Sequence, residues 1–467
     1  MKEINTFKET RDEIVLKTIE LIKIPSVNSK PTKKRPFGKG IDDALKYILT
    51  LCNDLGFRTK YIDGYCGFAE IGEGKEMLGI LVHLDVVPEG QGWSYPPFGA
   101  EIHDGKIYGR GATDNKGPII AAIYAMKSVL DSKMKLNKRV RIIFGTDEER
   151  KREGIKYYLK KEKEPTLSFT PDAVYPVINC EKGNMIFKIK RKFIKNENEK
   201  ELKVIYIKGG TRANIVSDYC ETLIEIKSEK LISQIDKKLK EYLLKTGCNI
   251  KMNVNKRNIT LKSFGVSAHG AYPLAGENAI SNLLLFLNSI KDLDGEIKSF
   301  INFYSKHINH EYSGHSLGCN LKDNVSGDLI LNVGCVNVNT HKGELLINIR
   351  YPVRYTSTVV YNCMENVLKQ YGLKIEEIKD SKPLYMSEDN YLVKKLMKVY
   401  SQIMGNNMKP KTINGGTYAR TMNNTVAFGP IFPGKDAHIH EKNENIVIKD
   451  LLLNYKIFKE VIKEICS

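Results

Sequence analysis

His83 and Asp85 stand two residues apart at the end of an aliphatic run, LGILVHLDVVPEG over 78–90. In a strand, residues i and i+2 share a face, so both side chains can reach one pocket. Such a pair serves as a metal ligand with its supporting acid, or as a base with its orienter. A satisfied structural histidine at a strand end gives the same pattern, and the pair alone does not separate these readings. Further acids and a second histidine lie in other loops. Asp114 sits in IYGRGATDNKGP, Glu148 and Glu149 follow a strand in GTDEER, Asp172 is in TPDA, and His440 is near the C-terminus. The glycine-rich loop around Asp114 lacks GxxxxGK[ST] and centres on an acid at a helix start, which suits cation ligation better than phosphate binding. Glu148 and Glu149 are neighbours on extended backbone, so they face opposite ways and can address different targets. Imidazoles and carboxylates without thiolates suit zinc, manganese or cobalt in a catalytic site. Two such ions about 3.5–4 Å apart, sharing one carboxylate, make a hydrolytic centre.

The elements that must position these residues follow from periodicity. Helices are expected at 6–23 and 41–55, the second closed by Gly56. Short strands at 58–62 and 67–71 precede the strand ending on His83. A helix at 119–130 follows the Asp114 loop, and the strand 140–144 leads into Glu148. The loop PEGQGWSYPPF at 88–98 carries the only tryptophan, Trp93, as a pocket wall or a structural side chain. From about 184 to 382 the pattern changes to strands with interspersed helices, an α+β composition. The expected architecture is therefore a mixed α/β outer domain, 1–183 and 385–467, split around an inserted α+β domain, 184–384.

At 467 residues the chain is too long for one ordinary core, and 42% hydrophobic residues suit a folded protein. The net charge of +18 is dispersed lysine, with Lys33-Lys34-Arg35 as its densest short run; without a basic stripe interleaved with aromatics, no nucleic-acid binding is expected. Nine scattered cysteines with no CxxC pair are expected as free thiols in a reducing cytoplasm. No apolar signal core is read at the charged N-terminus, and no run of about 18 apolar residues suggests a membrane span. His103, His307, His310, His315 and His341 match no motif, and His307 and His310 are expected at the surface.

The order HLDVVP, GRGATDNKGP, GTDEER, TPDA, GVSAHGAYP, INIRYP, GGTYAR and HEKNE resembles the M20 metallopeptidases, most of all the PepV-type dipeptidases. The resemblance spans about residue 10 to the C-terminal helix. It implies a two-domain, mixed α/β metallopeptidase whose inserted α+β domain is a lid, with two divalent ions, Zn2+ first and Mn2+ or Co2+ as alternatives. It implies His83 and Asp172 on one ion, Glu149 and His440 on the other, and Asp114 on both. Asp85 would orient His83 and Glu148 would be general base and acid. The Asp114–Asn115 bond would be cis. His269 would stabilise the oxyanion, while Asn214, Arg350, Gly415, Gly416 and Thr417 would face the substrate, Arg350 as a carboxylate clamp. The register HxKNE, anchored on Asn443 and Glu444, selects His440; His438 is the alternative, and Glu441 replaces an expected glutamine. The implied activity is hydrolysis of dipeptides by a monomer, since a long lid of this type mimics a second subunit. An N-acyl amino-acid deacylase or carboxypeptidase of the same superfamily, and a metal-binding protein without turnover, are the alternatives.

Overall fold

Four parallel strands form the centre of the first unit, and their hydrophobic content explains why they are buried on both faces. In the computed structural model, which describes residues 2–194, 201–291, 293 and 295–467 with side chains from residue 9 onward, the chain divides into two compact units. The first comprises 1–179, 385–411 and 416–467; the second comprises 180–384 and 412–415. The insertion therefore starts at Cys180, where composition suggested 184, and the segment Thr412–Gly415 groups with it.

In the first unit the strands run in the order Arg58–Ile62, Cys66–Ile71, Arg139–Gly145, Met77–His83, Leu167–Thr170, Thr425–Phe428 and Val177–Glu181, the last of which carries the chain into the insertion. Arg139–Gly145, Met77–His83, Leu167–Thr170 and Thr425–Phe428 are mutually parallel, and the strands beyond them pair antiparallel. Every residue of Met77–His83 is buried, as expected of a strand covered on both faces. The helices Gly117–Asp131 and Ile448–Cys466 contribute Ile119, Ile123, Phe458 and Ile462 to the same core as Ile80 and Val82. Pro118 in the first turn of Gly117–Asp131 fits a position where its missing N–H would have no intrahelical partner anyway.

His83 pairs in register with Gly145, so the loops after these two strands leave the sheet side by side. Ligands of open α/β sheets gather at such carboxyl ends. Gly145 also permits a close approach: a Cβ there would overlap the hydroxyl of Tyr418, a side chain that is itself fully buried. Gly145→Ala is expected to destabilise the protein by about 1–3 kcal/mol, the usual range for overpacking a full core. A thermal melt checks this, and an unchanged midpoint would mean that Tyr418 yields without cost.

The second unit is built on an antiparallel sheet in the order Asn249–Asn255, Asn258–Phe264, Tyr219–Ile226, Leu202–Gly209, Ile330–Asn339, Lys342–Tyr351, Gly183–Lys192 and Lys374–Ser381. Met185, Phe187 and Ile189 alternate inward from one strand, as a period of two requires, and meet Leu283, Phe300 and Val360 from the helices. The edge strand Lys374–Ser381 was not evident from sequence. Its residues, KIEEIKDS, are mostly charged and half-buried or exposed, so burial left no alternation to read.

The described cysteines are all free. Among the described residues no helix is long and apolar enough to cross a membrane. His307, expected at the surface, is instead half-buried: its ring packs at 5.4 Å from Tyr371 and Nδ1 lies 2.7 Å from the Ser316 carbonyl.

Candidate active site

Each acid and histidine is delivered by a strand end or by a loop anchored to one. His83 is fully buried at the end of its strand. Its Nδ1 lies 3.0 Å from the main-chain carbonyl of Asp85, so that nitrogen carries the proton and donates it. Nε2 then faces Asp114 Oδ1 at 2.9 Å and Asp172 Oδ1 at 3.5 Å. The contact from Asp85 to His83 is thus made by its carbonyl. Its carboxylate, 3.7 Å from Nδ1, is turned to other donors. Oδ1 accepts the N–H of Glu148 at 3.0 Å and Oδ2 that of Glu149 at 3.1 Å. With their amides held on one carboxylate, the two glutamates diverge: Glu149 Oε1 meets His440 Nε2 at 2.8 Å, and Glu148 Oε1 meets Arg152 Nη2 at 2.5 Å.

Asp114 lies between the histidines. Its Oδ1 faces His83 and its Oδ2 lies 3.0 Å from His440 Nε2. The peptide bond to Asn115 is cis. His440 has φ +64°, in a loop where His438 and Asn443 are also left-handed. His438 turns away, with Nδ1 3.6 Å from both Asp436 and Glu441. Among the described residues, three groups bring ligand atoms within 4.8 Å of one another: His83, Asp114 and Asp172; Asp114, Glu149 and His440; and His83, Glu148 and Glu149.

The concentration of negative charge shows in the proton affinities. Burial, then the charges of Asp114 and Glu148, push Asp172 up to about 8. Burial and Asp114 push Glu149 up to about 7. Burial opposes the charging of His440, but Asp114 and Glu149 outweigh it and raise the imidazolium to about 11; His83 is raised likewise by Asp114 and Asp172. Divalent cations held there would neutralise the same acids. The donors are imidazole and carboxylate only, and Asp114 offers a separate oxygen to each side. The site therefore fits a pair of divalent ions in donor chemistry and in arrangement.

Asn214, His269, Arg350 and Gly415 belong to the second unit, and Gly416 and Thr417 to the first. Within the second unit the Gly270 N–H donates to the Asn214 carbonyl at 2.7 Å, which sets Asn214 beside His269. Burial and the charge of Arg350 lower the pKa of His269. The Ala271 N–H donates to His269 Nδ1 at 3.2 Å, so the neutral ring carries its proton on Nε2. Arg350 is buried and held at Nε by Asn348 Oδ1 and at Nη1 by the Asn414 carbonyl, both at 3.1 Å. In the first unit Arg152 Nη1 donates to the Thr417 carbonyl at 2.8 Å.

Sequence reasoning passed over Arg152, Arg110 and Glu444, except that Glu444 served to set a motif register. Arg152 is four residues after Glu148, a spacing that signals contact on a helix, yet here Arg152 is itself left-handed, with φ +58°, directly before a helix. Trp93, left open from sequence, is half-buried: its Nε1 donates to the Glu89 carbonyl at 2.7 Å, and the Arg110 guanidinium lies 5.2 Å from its ring.

A family model described as Peptidase family M20/M25/M40 matches residues 79–464. The chain belongs to this family. The peptidase is 39% identical over 461 residues to a putative dipeptidase, YtjP, of Bacillus subtilis (strain 168), covering 98% of each chain. Its fold is similar to that of human carnosine dipeptidase 1, with a TM-score of 0.59 at 16% identity over 99% of this chain and 98% of that one. It is also similar to the aminoacylhistidine dipeptidase of Vibrio alginolyticus, with a TM-score of 0.58 at 15% identity over 95% of each.

Proposed function

We propose that this M20 peptidase is a two-metal dipeptidase that hydrolyses the peptide bond of free dipeptides. The observation that carries the reading is Asp114, whose two oxygens each face a different histidine with a further acid beside it. His83 and Asp172 would hold one ion, Glu149 and His440 the other, and Asp114 both. Two divalent cations held there, Zn2+ foremost, would polarise the scissile carbonyl and lower the pKa of a water.

Glu148 accepts a proton from that water as its oxygen adds to the carbonyl carbon. It returns the proton to the amine nitrogen as the C–N bond breaks, so the products are a carboxylate and a free amine. Its placement supports this role: the amide is fixed by Asp85, and a carboxylate oxygen lies within 4.8 Å of ligand atoms of His83 and Glu149. His269, with the proton on Nε2 and its charged form disfavoured, is suited to donate to the developing oxyanion. Arg350, its guanidinium plane fixed by two acceptors, suits a substrate carboxylate. Asn214, Gly415, Gly416 and Thr417 are assigned to the same substrate. The reading includes a monomer in the cytoplasm that engages neither nucleic acid nor membrane; the free thiols support the reducing compartment.

The test is chelator-stripped protein reconstituted with Zn2+, Mn2+ or Co2+ and assayed on a panel of α-dipeptides, β-alanyl dipeptides and N-acyl amino acids. Hydrolysis of free dipeptides only after metal is restored is the expected result. Cleavage of acylated amino acids alone would replace the dipeptidase with a deacylase.

A further inference from the structure

The geometry points to Glu444 as a positioning residue that sets the Asp114 loop for cation binding. The inference rests on the metal reading above. Glu444 is fully buried. Its carboxylate collects donors from nearly every residue of the segment 110–114. Oε2 accepts Arg110 Nη1 at 2.8 Å and the Gly111 N–H at 3.0 Å. Oε1 accepts the N–H groups of Thr113 and Asp114, both at 3.1 Å. The neighbouring main chain adds two more ties, Gly109 N–H to the Glu444 carbonyl and Thr113 Oγ1 to the Asn445 carbonyl.

A carboxylate is the one side chain that fits this role. Ionised, it only accepts, and here four N–H groups converge on two oxygens. Arg110 supplies the compensating charge. It is itself buried, and its Nη2 donates to the Glu89 carbonyl at 3.2 Å. The other side of the clasp is the segment that bears His440. Asn443, directly before Glu444, accepts the Ser94 N–H at 2.8 Å on its side-chain oxygen. Glu444 therefore holds the residue that faces both histidines, from a loop that also carries one of those histidines. A displacement there would misalign Asp114 against His440 at both ends. Outer partners of this kind commonly govern metal affinity by about 10- to 100-fold.

Glu444→Gln tests the assignment, because an amide turns an N–H2 toward donors on one side of the clasp. The control is Glu70→Gln, which disturbs another buried carboxylate of the same unit, bound to Arg141 Nε at 2.7 Å and paired near the start of the strand Arg139–Gly145, the end opposite to Gly145 and His83. Zn2+ affinity is measured on the full chain by competition with a chromophoric chelator, alongside the melting temperature of the metal-free protein. At least a tenfold loss of Zn2+ affinity is expected for Glu444→Gln and less than twofold for Glu70→Gln, even where both lower the metal-free melting temperature. Parental affinity in Glu444→Gln, or an equal loss in both variants, overturns the assignment. A parent protein that binds no Zn2+ overturns the metal reading and this inference with it. If Glu444→Gln does not fold, Glu444→Asp takes its place. Its shorter carboxylate cannot span all four donors, so weakened Zn2+ binding supports the role and parental binding removes it.

Discussion

Glu148→Ala is expected to lower kcat on dipeptides by about 10²- to 10⁴-fold, the range for losing a positioned proton carrier. That corresponds to about 3–5 kcal/mol of barrier. The variant should keep its metal, because the two donor groups that include Asp114 do not need Glu148. It should also keep its fold, because the Asp85 carboxylate binds the main-chain N–H of residue 148 and not the side chain. Two measurements decide the matter: turnover at saturating dipeptide and zinc per chain by elemental analysis. Turnover at the parental rate would exclude Glu148 as the base. A loss of bound zinc would instead make Glu148 a ligand, through the third group, in which its oxygen lies near His83 and Glu149.

Asp114→Ala should have the broadest effect of any single substitution. It removes the oxygens facing His83 and His440 together and leaves each flank with one histidine and one acid. Zinc binding should fall below one ion per chain, and turnover should disappear. A ligand present at about 1,000 times its Kd stabilises the folded state by about 4 kcal/mol, so the parent should melt higher as Zn2+ is added and the variant should not. The paired melts with and without Zn2+ supply the check. A variant that still shows the full zinc-dependent rise would show that the flanking residues bind ions without Asp114.

The line between what sequence could reveal and what it could not follows the range of the interactions. The strand to His83 was readable because a parallel strand buried on both faces is a continuous apolar run. The acids and histidines at loop ends were readable as residue types, and their order along the chain carried the family resemblance. The parts that escaped depend on main-chain groups or on partners far away in the chain. Asp85 acts on His83 through a carbonyl, which no side-chain pattern records. Glu444 belongs to HEKNE, a motif that sets a register but carries no sign of burial, and its burial follows from donors 330 or more residues earlier. Arg152, itself left-handed, reaches Glu148 and Thr417 together, a backbone state that spacing does not record. The edge strand Lys374–Ser381 was hidden for the opposite reason, since an exposed strand bears too little apolar signal.

The Thr425–Phe428 strand has a consequence for biosynthesis. It is inserted between Leu167–Thr170 and Val177–Glu181, so the parallel sheet has a vacant lane until residues 425–428 leave the ribosome. His83, Asp114, Glu149 and Asp172 are all synthesised well before it, and His440 only after it. Domains generally fold as units during synthesis, the earlier segments first. The second unit, nearly complete once Leu384 has emerged, can therefore fold while the first still waits for its closing strand. A nascent chain carries most of the acidic donors with neither the final histidine nor the Glu444 clasp, and a message truncated before residue 425 yields a chain that cannot assemble the site at all. Translation itself thus imposes an order on the enzyme: scaffold, then insertion, then the strand and loop that finish the centre.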